Sequence, residues 1–468
     1  MQFEEINQDG ASVLQQVRDE NGMISQELFQ LIDDAIEARN SDLLVSLTQD
    51  LHEADLGDII EALSPKDRSD FIELLGDSFD YTALVELDDS LRSKIVESLP
   101  NELVAEGISE LDSDDAIVIL EDLEEEDQAE ILAALPAIDR LQLKRSLDYP
   151  EDSAGRLMQT DFIAVAPFWT VGQTIDYLRE TTDLPDDFYQ IFVIDPGHRL
   201  LGTISLDTLL RSRRPTRISE IQNEERHFVM VNQDQEEVSR LFERYDLLST
   251  AVLDEGERLV GVITIDDVVD VIHEEAAEDI KRLGGVGDEE ITDTVVATVM
   301  SRMPWLIVNL ATAVIASQVI AFFDGTIAQM VALAVLMPIV ASMGGNAATQ
   351  TMTVAVRALA TQDLDKFNML RVVSREILVS IFNGIAFAII LGIIAAVWFS
   401  NIQLGYVMGA ALVVNLFFAG LSGILIPVGL QKAGVDPAIA SSVFITTVTD
   451  VVGFFSFLGL AGWWFGLM

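Results

Sequence analysis

The sequence predicts a multidomain chain: an all-α solenoid N-terminal domain, an α/β tandem pair, a connecting helix, and an all-α transmembrane domain of five helices. Three observations carry this reading. Leucine recurs every twelve residues from Leu51 to Leu147, two stretches after it align with each other, and five long apolar runs follow Ser301. At 468 residues the chain also exceeds what one core serves.

The solenoid rests on Leu51, Leu63, Leu75, Leu87, Leu99, Leu111, Leu123, Leu135 and Leu147. Helix-start signals accompany many of them, as in LSPKD, LDDSL, LPNEL, LDSDD and LPAID, where Ser or Asp serves as N-cap and Pro sits near N1. Twelve residues hold one short helix and its turn, and such units stack into an α-solenoid. We assign residues 1–152 to this domain, with less regular helices in the first fifty.

Beyond it, β-rich runs alternate with helices. IFVIDPGHRLLGTISLDTLL (191–210) aligns with TAVLDEGERLVGVITIDDVV (250–269) at an offset of 59. DPG and DEG read as hairpin turns, and each second strand leads into a helix. This β-α-β-β-α pattern, present twice, resembles a pair of CBS domains, over 153–216 and 217–280. That family closes its last strand with Ser or Thr, two residues, then an Asp that often holds a nucleotide ribose. The second repeat keeps Thr264 and Asp267; the first has Ser205 but Thr208. The pair therefore reads either as a site for a nucleotide such as ATP or as a pairing module without ligand.

HEEAAEDIKRL (273–283) continues as a helix, with Glu275, Glu278 and Asp279 on one face. GGVG (284–287) breaks it, and a further helix over roughly 289–301 leads to the membrane. Residues 281–302 form the connecting segment and 303–468 the transmembrane domain.

Charge separates the two halves. The net charge is −49; six of the 28 basic and six of the 77 acidic residues lie from Ser301 onward, leaving 22 against 71 in the first 300. Phosphates would be repelled, so nucleic acid is not an expected partner, while bound cations would relieve the self-repulsion. Most of these carboxylates read as solvated faces. The absence of cysteine excludes disulfides and thiolate metal sites. The acidic, polar N-terminus MQFEEINQDG does not read as a signal peptide.

The apolar runs, at about 303–323, 327–356, 372–399, 405–430 and 438–466, each suffice to cross about 30 Å of hydrocarbon. With five spans, Arg302, Arg357, Lys366, Arg371, Arg375 and Lys432 all fall on one side, which predicts a cytoplasmic N-terminal region and an external C-terminus. In the second run Pro338, Gly344 and Gly345 weaken the helix, and Asn346, Thr349 and Gln350 put polar groups at membrane depth. The fifth carries Asp450, the only ionisable side chain from Ala438 to Met468, just after Thr446, Thr447 and Thr449. An intramembrane acid is costly and marks an ion path by default. One carboxylate per chain is too few for a proton relay. It suits a hydrated ion such as Mg²⁺, which keeps its waters and takes one or two carboxylates. In a two-fold dimer, two copies of Asp450 would face each other across the axis.

The whole arrangement resembles the MgtE family of magnesium channels. The resemblance rests on DQEEV (234–238), the acidic helix at 278–284, GGN with Gln350, RALATQDLD (357–365), GVDPA (434–438) and the TD-x-x-G element (449–453). It implies a plasma-membrane homodimer that imports Mg²⁺ and is closed by Mg²⁺ on its cytoplasmic domains. It implies a pore site at Asp450, helped by carbonyls near Thr446, with Pro338, Gly344, Gly345 and Asn346 lining the path. It further implies regulatory ligands at Asp114, Glu236, Asp246, Asp267, Asp270, Glu275, Glu278, Asp279 and Asp436. Two positions where the family can carry acids are Val118 and Thr82 here. Two other classes compete: a cation carrier coupled to Na⁺ or H⁺, which would call for a second intramembrane carboxylate, and a membrane-anchored nucleotide sensor. No nucleophile–base pair with recognisable spacing is present, so an enzyme is not expected.

Overall fold

The computed structural model describes residues 17–19, 22–182, 184–185, 188–286, 289, 294–360 and 369–467. The expectations for the first ten residues, for Gly287 and for 361–366 of the loop after the second span lie outside these. The chain divides into two compact units, 1–273 and 274–468.

The first unit begins with short helices: α1 (Gln26–Glu37), α2 (Ser41–Thr48), α3 (Glu53–Ala62), α4 (Pro65–Leu75), α5 (Thr82–Val85), α6 (Asp89–Ser98), α7 (Asn101–Ile108), α8 (Ser113–Glu121), α9 (Glu125–Ala134) and α10 (Ala137–Leu147). Of the quoted start signals, LSPKD acts as the sequence indicates, whereas Asp88 and Asp112 make no side-chain capping bond and Pro100 and Pro136 occupy the N-cap itself because their fixed φ suits the turn before the helix. Ser64 accepts a hydrogen bond from the Asp67 N–H at 3.4 Å, with Pro65 opening α4. The twelve-residue leucines point inward, Leu63, Leu75, Leu87, Leu99, Leu123 and Leu135 being buried, while Leu51, Leu111 and Leu147 pack partly buried on the same core. One charged residue is built into this core. Arg92 is buried, with its guanidinium 2.6 Å from both Asp122 and Asp89 and further bonds to the Val85 and Leu87 carbonyls.

Two small sheets follow. The first holds β1 (Ala164–Val165), β2 (Gln190–Ile194) and β3 (Leu200–Ser205), with helices α11 (Val171–Glu180), α12 (Leu206–Arg211) and α13 (Ile218–Ile221). The second holds β4 (Phe228–Met230), β5 (Ser249–Leu253) and β6 (Leu259–Thr264), with α14 (Gln235–Tyr245). In each, a parallel pair is followed by an antiparallel hairpin. The two hairpin turns are closed by the same hydrogen-bond pattern. Asp195 accepts from the Gly197 and Arg199 N–H groups, and Asp254 from those of Gly256 and Arg258. The turns also join the repeats, since the Leu259 N–H donates to the His198 carbonyl at 2.8 Å.

α15 (Ile265–Leu283) runs from the second repeat through the acidic stretch and ends at Gly284. The second unit then contains α16 (Val295–Phe322), α17 (Asp324–Gln329), α18 (Ala332–Ala360), α19 (Met369–Trp398), α20 (Ile402–Lys432) and α21 (Pro437–Phe465). All but α17 are long and apolar enough to cross a membrane. α20 is the central helix: 61% of its apolar window is buried, against 6% for α16.

Two details differ from the sequence reading. Residues 295–301 and the first span form one helix, because Thr294 caps it and Pro304 removes only a single N–H donor. The second span is also continuous through Pro338 and Gly344–Gly345. Away from water an opened helix would leave several backbone groups unpaired, a larger cost than one missing bond.

Candidate ion sites

Three groups of predicted residues are placed by the fold. The first lies between α8 and the second repeat. Asp114 and Asp115 occupy the first turn of α8, where the positive end of the helix dipole favours acids. Several contacts seat this turn. The Ser113 hydroxyl accepts from the Thr160 N–H at 2.7 Å, Arg156 pairs with Glu121 at the end of α8, and Arg156 also bonds the Tyr149 and Leu147 carbonyls. The Asp114 carboxylate is buried beside the Asp115 backbone and the Asp267 side chain. Burial, then the charge of Asp267, pushes its pKa well up. The same two causes push Asp115 up to about 7. Asp267 accepts a hydrogen bond from the Thr264 hydroxyl at 2.6 Å, and burial still raises it to about 6. Glu86 and Asp270 form a second acidic pair: burial raises both, and for Glu86 the charge of Asp270 comes next.

Sequence reasoning named Asp114, Asp267 and Asp270, and the structure sets Asp115 and Glu86, which it did not name, beside them. The DSDD run at 112–115 was the available signal for Asp115. Glu86 follows α5 in a stretch without motif, so nothing local marks it. Glu236, on the first turn of α14, pairs with Arg240 at 3.1 Å, and Asp246 ends that helix in the left-handed conformation at φ 51°.

The second group lies in the second unit. Asp436 caps α21, its Oδ1 accepting from the Ala438 N–H at 2.7 Å. Its Oδ2 accepts from Arg282 Nη1 at 2.6 Å, and the same guanidinium pairs with Glu278 one turn earlier on α15. Asp279 is raised by burial, then by the charges of Asp436 and Glu275. The fold thus joins Glu278 and Asp436 through Arg282 and sets Asp279 near Asp436 and Glu275. Leu283 packs beside them on the apolar cluster formed by Ala348, Met352, Ala419 and Ile445.

The third group is in the membrane helices. Asp450 is half-buried midway along α21. The Thr447 hydroxyl donates to the Val443 carbonyl at 2.7 Å and that of Thr449 to the Thr446 carbonyl at 3.0 Å, while Thr446 donates to Ser442. On α18, Gly344 is buried, Gly345 half-buried, and Pro338 and Asn346 face outward from the single chain. A Cβ on Gly345 would lie 4.0 Å from Thr449 Oγ1, so the two motif-bearing turns touch. Among the described residues, no three His, Asp or Glu side chains converge closely enough to hold a bare metal ion.

A five-helix membrane domain joined to a CBS pair and an acidic helical domain defines a multi-pass membrane protein with soluble N-terminal domains. Comparison with known proteins agrees part by part. Residues 337–460 match the MgtE model of divalent cation transporters, 51–152 the MgtE intracellular N domain, and 154–214 and 218–274 the CBS domain. The chain is 34% identical to the magnesium transporter MgtE of Bacillus subtilis, over 67% of this chain and 70% of that one. It is 36% identical to the MgtE of Thermus thermophilus, over 69% and 72%. A crystal structure of the cytosolic domain of the Mg²⁺ channel MgtE in complex with ATP is 30% identical, with a TM-score of 0.49, covering 52% of this chain and 99% of that one. The chain belongs to the MgtE family.

Proposed function

We propose that the protein is a Mg²⁺ channel of the plasma membrane that imports Mg²⁺ and is closed by Mg²⁺ bound to its acidic cytoplasmic domains. The observation that carries the pore assignment is Asp450, a lone carboxylate on a membrane helix, one residue from a threonine that touches the Gly344–Gly345 turn. Closure is supported by the buried Asp114–Asp267 pair and by the acids gathered around Arg282. Bound Mg²⁺ would neutralise the acids of each group and favour the arrangement that brings them together, which shifts the population toward the closed state. The regulatory ligands are then Asp114, Asp267, Asp270, Glu275, Glu278, Asp279 and Asp436, with Glu236 and Asp246 on α14. In this reading the protein works as a homodimer with two copies of Asp450 on its axis, its N-terminal domains cytoplasmic and its C-terminus outside. Mg²⁺ uptake into proteoliposomes tests it. Uptake should fall to background in Asp450→Ala and Asp450→Asn, and equal uptake in all three would remove the pore role.

A nucleotide reading of the CBS pair has one observation in its favour. The cleft lined by Phe162, Tyr189, Gln190, Ser249 and Thr264 contains the buried Ser249 hydroxyl, which has no partner there. Equilibrium dialysis of the full chain against ATP tests that reading.

A further inference from the structure

Asn415 lies midway along α20 and is 0% exposed. No motif of the sequence singles it out. Its Nδ2 donates to the Val340 carbonyl of α18 at 2.8 Å, while its Oδ1 has no hydrogen-bond partner among the described residues. Two glycines make room for this amide. A Cβ on Gly344 would overlap the Asn415 amide nitrogen, and one on Gly453 would come within 2.9 Å of it. Gly344 opens the Gly-Gly-Asn turn of α18, and Gly453 lies three residues after Asp450 on α21. The amide is therefore wedged between the two turns that carry the pore assignment, and a side chain at either glycine would push it out.

A leucine has the same branched heavy-atom skeleton, though bulkier methyl groups, and would leave no oxygen unpaired. The distinct contribution of the amide is the bond to the Val340 carbonyl. That bond fixes how α20 is rotated against α18, and so where the α21 turn bearing Thr449 and Asp450 comes to rest. We infer that Asn415 is a positioning residue of the pore, holding the Asp450 turn against the Gly344–Gly345 turn through its amide. The inference rests on the assignment of Asp450 to the pore, and it explains both motif glycines as the walls of one amide site.

Two measurements on the full chain test it. The chain has no cysteine, so Gly345→Cys with Thr449→Cys is a clean pair, and the 4.0 Å approach predicts rapid oxidative cross-linking. Adding Asn415→Leu should slow that cross-link about tenfold as the turns lose register. In proteoliposomes without the cysteines, Asn415→Leu should raise the half-saturating external Mg²⁺ about tenfold, and Gly453→Ala should act in the same direction. A purely structural role would lower maximal uptake and the yield of monodisperse protein without moving half-saturation. Cross-linking at the unsubstituted rate in Asn415→Leu overturns the inference whatever the transport assay gives. So does unchanged half-saturation in Asn415→Leu where Asp450→Asn abolishes uptake. Full uptake in Asp450→Asn sinks the pore assignment instead, and the cross-link then decides the positioning alone.

Discussion

The Asp114 carboxylate of helix α8 is buried against Asp267 at the close of the second CBS repeat. Two acids in this position have raised pKa values, so the sign of the pH effect follows. A raised carboxylate favours the contact while it is protonated and loses that contribution as pH rises through its folded value. The window is set by about 6 for Asp267 and about 7 for Asp115. Without Mg²⁺, protease protection of the α8 contact should be full near pH 5 and lost by about pH 8. Millimolar Mg²⁺ should remove this dependence by replacing the protons. Asp114→Asn should weaken the response to Mg²⁺, while a reduced pH dependence persists through Asp115 and Asp267. Protection that stays flat across this range in the unsubstituted protein would count against the pair as an ion site.

Arg282 binds Asp436 and Glu278 at once, so two proposed regulatory acids already carry a tethered cation. Removing it should leave α15 held to the start of α21 only when an ion is bound. Arg282→Gln should therefore raise the Mg²⁺ concentration needed to close the channel, by about three- to tenfold for an interaction of roughly 1 kcal/mol. Asp436→Asn is the informative companion. Asn caps a helix as well as Asp, so α21 should stay intact while the ion pair is lost. Patch recordings in which both variants close at the unsubstituted concentration would show that the arginine does not contribute.

How much of this was legible in the sequence differs by element. The twelve-residue leucine spacing located the solenoid because each leucine meets the same core at the same turn, and the two DxG hairpins located the CBS repeats because the Asp side chain closes each turn itself. Asp450 was legible because an acid is conspicuous among apolar neighbours. Asn415 was not, since one polar residue in an apolar helix looks like tolerance until the glycines it displaces are seen. Glu86 and Asp115 stayed hidden among many solvated acids, because only tertiary packing decides which of them lose water. Pro338 misled for a related reason: its local cost is real, but the membrane makes the alternative worse.

Arg92 offers a test of the solenoid core. Its pairing with Asp122 is buried, and its removal would leave that carboxylate without its cation. Arg92→Met should destabilise the domain by about 3–5 kcal/mol, the usual cost of breaking a buried pair from one side. Arg92→Met with Asp122→Leu should recover much of the loss, because no charge is then stranded. Urea unfolding followed by the helical circular dichroism signal would separate the two variants. Equal midpoints would mean the pair is more hydrated than its burial suggests.

The membrane helices supply a prediction with an internal control. Gly392 of α19 and Gly405 of α20 meet backbone to backbone: a Cβ on Gly392 would lie 2.9 Å from the Gly405 carbonyl oxygen. Gly420, further along α20, likewise has no room, because a Cβ would overlap the Ser380 hydroxyl. Gly429 is on the same helix with nothing within 4 Å of its Cβ position. Small residues at such crossings let helices approach without any hydrophobic drive between them. Gly392→Ala should therefore force the two helices apart and cost about 1–3 kcal/mol through overpacking. Gly429→Ala should be neutral or mildly stabilising, because alanine is the better helix former by about 1 kcal/mol. Monodisperse fraction after heating in detergent would rank them, with Gly392→Ala lost at the lowest temperature. If the two alanines behave alike, the close approach of α19 and α20 is not what holds that crossing together.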